Sequence, residues 1–272
     1  MIRNGLKGSA SVEGRGLHTG VLSKVTFSPA QSNSGIVIRN GNEEYKVSPG
    51  LVFDTKRGTS LKFGKSEVHT VEHLLAAVKG MFVDDVIIDI EGIEPPCSDG
   101  SAAAYVKAVK KAGVTPQAVE VSVQELKEPL IIKENGKYMA ALPYPKQKFV
   151  YFSDFSAMGI APEESEFVLK PGSFEKEIAS ARTFGFKNEI ETLMKAGLIK
   201  GADENSAILI DNGKPVNTKY RMKQELTKHK LLDMTGDFAL LNQRINMLVI
   251  GVKTGHEQNV NMAEKIWRMT NS

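Results

Sequence analysis

Thr70-Val71-Glu72-His73-Leu74-Leu75-Ala76-Ala77-Val78-Lys79-Gly80, followed shortly by Val86-Ile87-Ile88-Asp89-Ile90, is the stretch from which the fold is read. Val71, Leu74, Leu75 and Val78 recur at helical spacing, so residues 70–80 are expected to form a helix with one apolar face. Thr70 is its candidate N-cap, and Gly80 is expected to close it in the usual C-terminal position. The run 86–90 reads as a strand. Upstream, residues 1–63 read as short strands with turn signals such as Arg39-Asn40-Gly41-Asn42. Downstream, residues 102–112 read as a second helix ended by Gly113.

The second half of the chain repeats the idea. Residues 130–133 and 138–142 flank Asn135-Gly136, a strong hairpin-turn signal, and 149–155 is another strand. A long helical stretch is expected over about 217–241, then a strand at 247–250 and a final helix at 259–269. Strands followed by helices, twice, imply an α+β fold of two layered units packed face to face. The boundary between them is least defined across 116–128.

The 272 residues are long for one domain and comfortable for two. A hydrophobic share of 41% and a charged share of 25% suit a globular protein with a sizeable core and exclude a disordered or collagen-like chain. A net charge of +3 is too mild to argue for nucleic acid, and no strand shows a basic-aromatic platform. One cysteine, Cys97, makes no intramolecular disulfide and no thiolate-rich metal site, so a reducing, cytoplasmic setting is expected. No stretch approaches the roughly 20 apolar residues that span a bilayer, and the first residues do not read as a signal peptide. Peripheral contact with a membrane surface stays open.

Five histidines stand at 18, 69, 73, 229 and 256. In the long helix Leu231, Met234, Phe238 and Leu241 form a core-facing stripe, while His229, Asp233 and Asp237 follow one another at i+4 on a different face. Each i+4 step turns by only about 40°, so these three side chains form a column. A His and an Asp one turn apart can share one divalent ion, and such N/O ligation suits zinc. The same spacing also suits a weak pair on a solvated face. Gly236, inside the helix, costs about 1 kcal/mol against Ala and hints at close packing or a kink.

Glu72 and His73 point about 100° apart and can address one site from adjoining angles. A catalytic zinc wants three protein ligands and an open position, a set that His73, His229 and Asp233 would complete. Glu72 would then stand where a general base acts; taken alone, the dipeptide reads more simply as a helix start with an acid in its first turn, favourable to the dipole. His256 precedes the final helix, where an imidazolium needs an anion nearby, and Asp237 is the candidate. An exposed loop histidine is the other reading.

Gly16-Leu17-His18-Thr19-Gly20, Thr70-Val71-Glu72-His73, Ser98-Asp99-Gly100-Ser101-Ala102, Ala181-Arg182-Thr183-Phe184-Gly185-Phe186, His229-Lys230-Leu231-Leu232-Asp233 with Gly236-Asp237, and Gly255-His256 occur in one order. Each is weak alone; together, over about residues 2–269, they make the chain resemble the UDP-3-O-acyl-N-acetylglucosamine deacetylases, zinc amidases of bacterial lipid A synthesis. The resemblance implies two domains of similar β-α-α layers, 1–122 and 123–272, packed with helices inward, each with a small insert. It implies zinc on His73, His229 and Asp233, a site that ferrous iron also fits. Glu72 would be the general base and His256 the cationic acid, with Asp237 orienting it. Thr183 would donate to the oxyanion, and Lys230 would sit near the sugar and diphosphate. Leu17, His18, Phe184 and Phe186 would line the substrate, a small UDP-sugar carrying a fatty acyl chain. An acyl passage would fall within 184–210, where Ile190, Leu193, Met194, Leu198 and Ile199 are apolar; a small helix packing on the domain accounts for them too. A monomer is expected. Gly201-Ala202-Asp203-Glu204 departs from the Gly-Gly-Ser of many relatives, and Cys97 reads as structural. The rival readings are a zinc amidohydrolase acting on another acylated amino sugar, and a structural-zinc or metal-free binding module.

Overall fold

The computed structural model of the protein describes residues 1–271. Its first large sheet runs in the order Ala10–Arg15, Leu22–Pro29, Val86–Glu91, Ile36–Asn40, Glu43–Lys46. The second runs Leu130–Glu134, Lys137–Leu142, Arg244–Val252, Gln147–Ser153, Glu163–Val168, with Val123–Glu125 beside Arg244–Val252. Both place their last long strand in the middle. Both pair it in parallel with an earlier one, Ile36–Asn40 in the first sheet and Gln147–Ser153 in the second. Parallel neighbours need a crossover. The first crossover carries helix α1 (Glu72–Gly80); helix α2 (Ala103–Ala112) follows the sheet's central strand. The second crossover carries α3 (Ser173–Glu177), α4 (Lys187–Lys195) and α5 (Glu225–Asp237), and α6 (His256–Thr270) follows. These six α-helices and several sheets make a mixed α/β architecture among the described residues.

Alternation along the central strands shows which face is inward. Ile245, Met247 and Val249 are buried at every second position of Arg244–Val252, as are Val25 and Phe27 in Leu22–Pro29. α2 lies on the first sheet, α5 and α6 on the second, and α1 packs against α5. One apolar cluster therefore runs through both halves of the chain. Leu231, Met234 and Phe238 of the expected stripe are all fully buried, each stabilising by about 1.5–3 kcal/mol. Each half also carries a small three-stranded sheet: Val52–Asp54, Ser60–Phe63 and Ser66–Val68 in one, and Phe184–Phe186, Ile208–Asp211 and Lys214–Pro215 in the other.

Local expectations fare unevenly. Asn135-Gly136 turns the hairpin with both residues at positive φ, and Gly113 ends α2 at φ 81°. Gly80 does not act as a left-handed cap. It is the last residue of α1, and a Cβ there would stand 2.2 Å from the Phe174 ring, so close packing demands the glycine. Thr70 is no cap either: it sits at φ 55° with its hydroxyl donated to Glu94 Oε1 at 3.0 Å, and α1 starts at Glu72. The long helix begins at Glu225 rather than 217, because Gln224 at φ 55° interrupts right-handed winding; after Asp237 the chain tightens into a 3₁₀ turn, Phe238–Leu241. The undefined stretch around 116–128 holds two strands, one paired with Ile2–Leu6 and one with Arg244–Val252. Among the described residues no helix is long and apolar enough to cross a membrane.

Candidate metal centre and active site

The column on α5 is no solvated face. His229 and Asp233 are each 2% exposed and Asp237 is wholly buried, so the helix is covered on every side. Gly236 permits this: a Cβ there would lie 2.0 Å from the Glu72 carbonyl oxygen, so α1 and α5 meet backbone to backbone. That contact brings His73 over the column. Its Nε2 lies 3.5 Å from Asp233 Oδ1, and His229 Nε2 lies 3.3 Å from the same oxygen. The two imidazole rings stand perpendicular, 4.9 Å between centroids.

The donor set fits a divalent metal. Ligands about 2.0–2.1 Å from a tetrahedral ion are separated from one another by about 3.4 Å, close to the spacings seen. Asp233 Oδ1 is buried and makes no hydrogen bond, an uncompensated acceptor aimed into the cluster. His229 donates Nδ1–H to the Ala181 carbonyl at 3.1 Å, which leaves the Nε2 lone pair facing the other donors. Burial, then Asp233 in opposition, sets its pKa at about 3, so the imidazole is neutral as ligation requires. Asp233 stays far below the usual carboxylate range because His229 and Lys230 overcome the effect of burial. Lys230 donates to its second oxygen at 2.5 Å and lies over the Phe184 ring.

Glu72, 3% exposed, opens α1 beside His73. Burial pushes its carboxyl upward against His256 and His73. His256 is the first residue of α6, where the helix dipole opposes a cation. Its Nδ1 nevertheless lies 2.9 Å from Asp237 Oδ2, and its Nε2 lies 4.0 Å from Asp233 Oδ2. Burial would lower the imidazole, but Asp237 and Glu72 prevail and raise it to about 9. Asn259 donates to the same Asp237 oxygen at 2.8 Å.

Thr183 is pinned by its backbone: its N–H donates to the Gly100 carbonyl at 2.7 Å and its carbonyl accepts from Ile208 at 2.8 Å. Its hydroxyl makes no hydrogen bond among the described residues. The Phe184 ring lies 6.1 Å from the His229 ring, and Phe184 and Phe186 pack with Phe155, Ile208 and Ile210 in a satellite cluster. Leu17 and His18 lie in a loop held by Glu94, which accepts the His18 and Thr19 amides and the Thr19 hydroxyl. The Leu17 and His18 carbonyls accept from the Gly201 and Lys200 amides, so the backbone at 200–201 docks on this loop. No hydrogen bond joins Leu17 or His18 to the cluster among the described residues. Cys97 is inert, its thiol pushed up to about 12 mainly by burial.

Thr59, Glu94, Asn259 and the Ala181 carbonyl organise the site without being legible in the sequence. A lone polar residue carries no periodicity, and a backbone carbonyl carries no signal at all.

The family model described as LpxC, UDP-3-O-acyl N-acetylglycosamine deacetylase, matches residues 3–268. A UDP-3-O-acyl-N-acetylglucosamine deacetylase of Trichormus variabilis is 36% identical over 267 residues, covering 95% of this chain and 95% of that protein. The proteins of the same name from Oleidesulfovibrio alaskensis and Chlamydia pneumoniae are 37% identical (87% of this chain, 79% of that protein) and 33% identical (96% and 95%). With the match running almost from end to end, and with two histidines and an aspartate gathered at one point, the chain belongs to the LpxC family of UDP-3-O-acyl N-acetylglycosamine deacetylases.

Proposed function

We propose that this protein hydrolyses the 2-acetamido group of UDP-3-O-((3R)-3-hydroxyacyl)-N-acetylglucosamine to the free amine and acetate, the committed step of lipid A biosynthesis, with zinc as its metal. The observation that carries this reading is the convergence of His73, His229 and Asp233, with Glu72 and the His256–Asp237 pair beside them. Those three side chains would hold the ion. Bound there, zinc supplies Lewis-acid polarisation of the amide carbonyl and a more acidic water.

Glu72, its carboxyl raised by burial, accepts the proton of the attacking water. Thr183 turns its unengaged hydroxyl to the charge that develops on the carbonyl oxygen. His256, kept cationic by Asp237, protonates the departing nitrogen. Lys230, already set against Asp233, faces the sugar and diphosphate. Leu17, His18, Phe184 and Phe186 border the substrate. The acyl chain runs along the 184–210 insert, where Met194 of α4 is 65% exposed while Leu193 is buried.

The layered organisation into residues 1–122 and 123–272 belongs to the same reading. It is supported by the passage of the chain, between Glu120 and Val123, from pairing with Ile2–Leu6 to pairing with Arg244–Val252. A monomer acting on a small-molecule substrate belongs to the same reading, and a cytoplasmic setting accords with the lone, half-buried, unpaired Cys97.

The test is Glu72→Ala in zinc-loaded protein. Acetate release from the defined substrate falls at least about 100-fold while zinc content is unchanged; loss of zinc would make Glu72 a ligand, and retained activity would remove it as the base.

A further inference from the structure

Thr59 lies between the left-handed Arg57 (φ 65°) and the strand Ser60–Phe63, and it is wholly buried. It touches both proton-handling groups of the site. Its backbone N–H donates to Glu72 Oε2 at 2.8 Å, and its hydroxyl donates to Asp237 Oδ1 at 2.5 Å. The same hydroxyl oxygen is 3.4 Å from His256 Nδ1. Its carbonyl in turn accepts the Val71 N–H at 3.0 Å, tying it to the entry of α1.

The arrangement has a direction. A hydroxyl has one proton, and here it goes to Asp237 Oδ1, which leaves Oδ2 to His256 and Asn259. With both oxygens engaged the Asp237 carboxylate cannot rotate, so the His256 ring that it holds is fixed as well. Glu72 is fixed by the amide of the very same residue. We infer that Thr59 is a positioning residue that locks the proton acceptor, Glu72, and the proton donor, His256, into one geometry. The inference rests on the reaction proposed above. It assigns the hydroxyl a purpose beyond satisfying a buried carboxylate, because one short segment sets the separation of two groups that act on the same substrate amide.

The experiment uses the full-length, zinc-loaded protein and two variants. Thr59→Val keeps the backbone N–H to Glu72 and removes the hydroxyl; Thr59→Ser keeps both. Thr59→Val is expected to lower kcat by about 10–100-fold with KM within about twofold and zinc content unchanged. Thr59→Ser is expected to stay within about threefold of the parent. A readout that needs no turnover is the low-field proton NMR signal of His256 Nδ1–H on Asp237: present in the parent and Thr59→Ser, lost or displaced in Thr59→Val. A Thr59→Val variant with parental kcat and an unmoved signal overturns the inference. So does a Thr59→Ser variant as impaired as Thr59→Val. Should the parent itself release no acetate, the proposed reaction fails, while the imidazole signal still decides whether Thr59 sets the His256–Asp237 pair.

Discussion

Gly236 on α5 is packed against the main chain of Glu72 on α1, with no room for a methyl group: a Cβ at 236 would stand 2.0 Å from the Glu72 carbonyl oxygen. This contact delivers Glu72 and His73 to the column of His229, Asp233 and Asp237. Gly236→Ala gains about 1 kcal/mol of helix propensity and loses about 1–3 kcal/mol to overpacking against backbone that cannot yield. A lower Tm is expected, with zinc bound more weakly because His73 is displaced. Calorimetry and metal analysis check it; a variant with higher Tm and full zinc would show that the helices separate without cost.

Glu225 is the second fixed point of α5. It is buried, accepts from Arg182 Nε at 2.8 Å and from the Arg221 amide at 2.6 Å, and thereby binds the helix start to the segment carrying Ala181 and Thr183. Glu225→Ala leaves the Arg182 guanidinium buried without its carboxylate, at a cost of about 3–5 kcal/mol. The Ala181 carbonyl that orients His229 shifts with it, so zinc affinity is expected to fall about 10–100-fold. Denaturant unfolding and competitive chelation measure the two effects. Unchanged midpoints would mean that the pair contributes nothing.

Lys79, in the last turn of α1, supplies a pH test away from the metal centre. Burial brings its ammonium down to about 8, with Asp84 acting against the shift and Arg244 adding to it; among the described residues its one side-chain hydrogen bond is a long one of 3.4 Å to the Gln243 carbonyl. Between pH 8 and 10.5 the unfolded chain binds a proton at Lys79 that the folded chain does not, so stability attributable to this residue rises with pH. Below pH 8 both forms are protonated and the fold carries the whole penalty. Lys79→Met is therefore expected to be more stable than the parent at about pH 7, by a margin that shrinks as pH approaches about 10. A margin that widens with pH would reverse the assignment.

Features that depend on local spacing are legible in the sequence itself. The His229–Asp233–Asp237 column follows from the 3.6-residue period, the 135–136 hairpin from its Asn-Gly pair, and the end of α2 from Gly113. Features that depend on what packs against a residue are not. Gly80 reads as a cap and is instead a clearance for Phe174; Thr70 reads as a cap and is instead a donor to Glu94. The solvated-face reading of the His229 column fails for the same reason: the α1 helix that covers it is remote in sequence. The helix expected from about residue 217 begins only at Glu225, because the left-handed Gln224 interrupts right-handed winding. Site residues with a motif around them stand out from the sequence, whereas Thr59, Glu94 and Asn259, which hold those residues in place, stand alone in it.

The central claim is that His73, His229 and Asp233 together hold one zinc ion on which acetate release depends. The most direct test measures zinc content and acetate release from UDP-3-O-((3R)-3-hydroxyacyl)-N-acetylglucosamine in one preparation before chelation, after it and after zinc is restored, with His229→Ala alongside. About one zinc per chain is expected in the parent, with activity that disappears and returns with the metal, and little zinc or activity in the variant. Full zinc occupancy in His229→Ala, or undiminished acetate release from the metal-free parent, would contradict it.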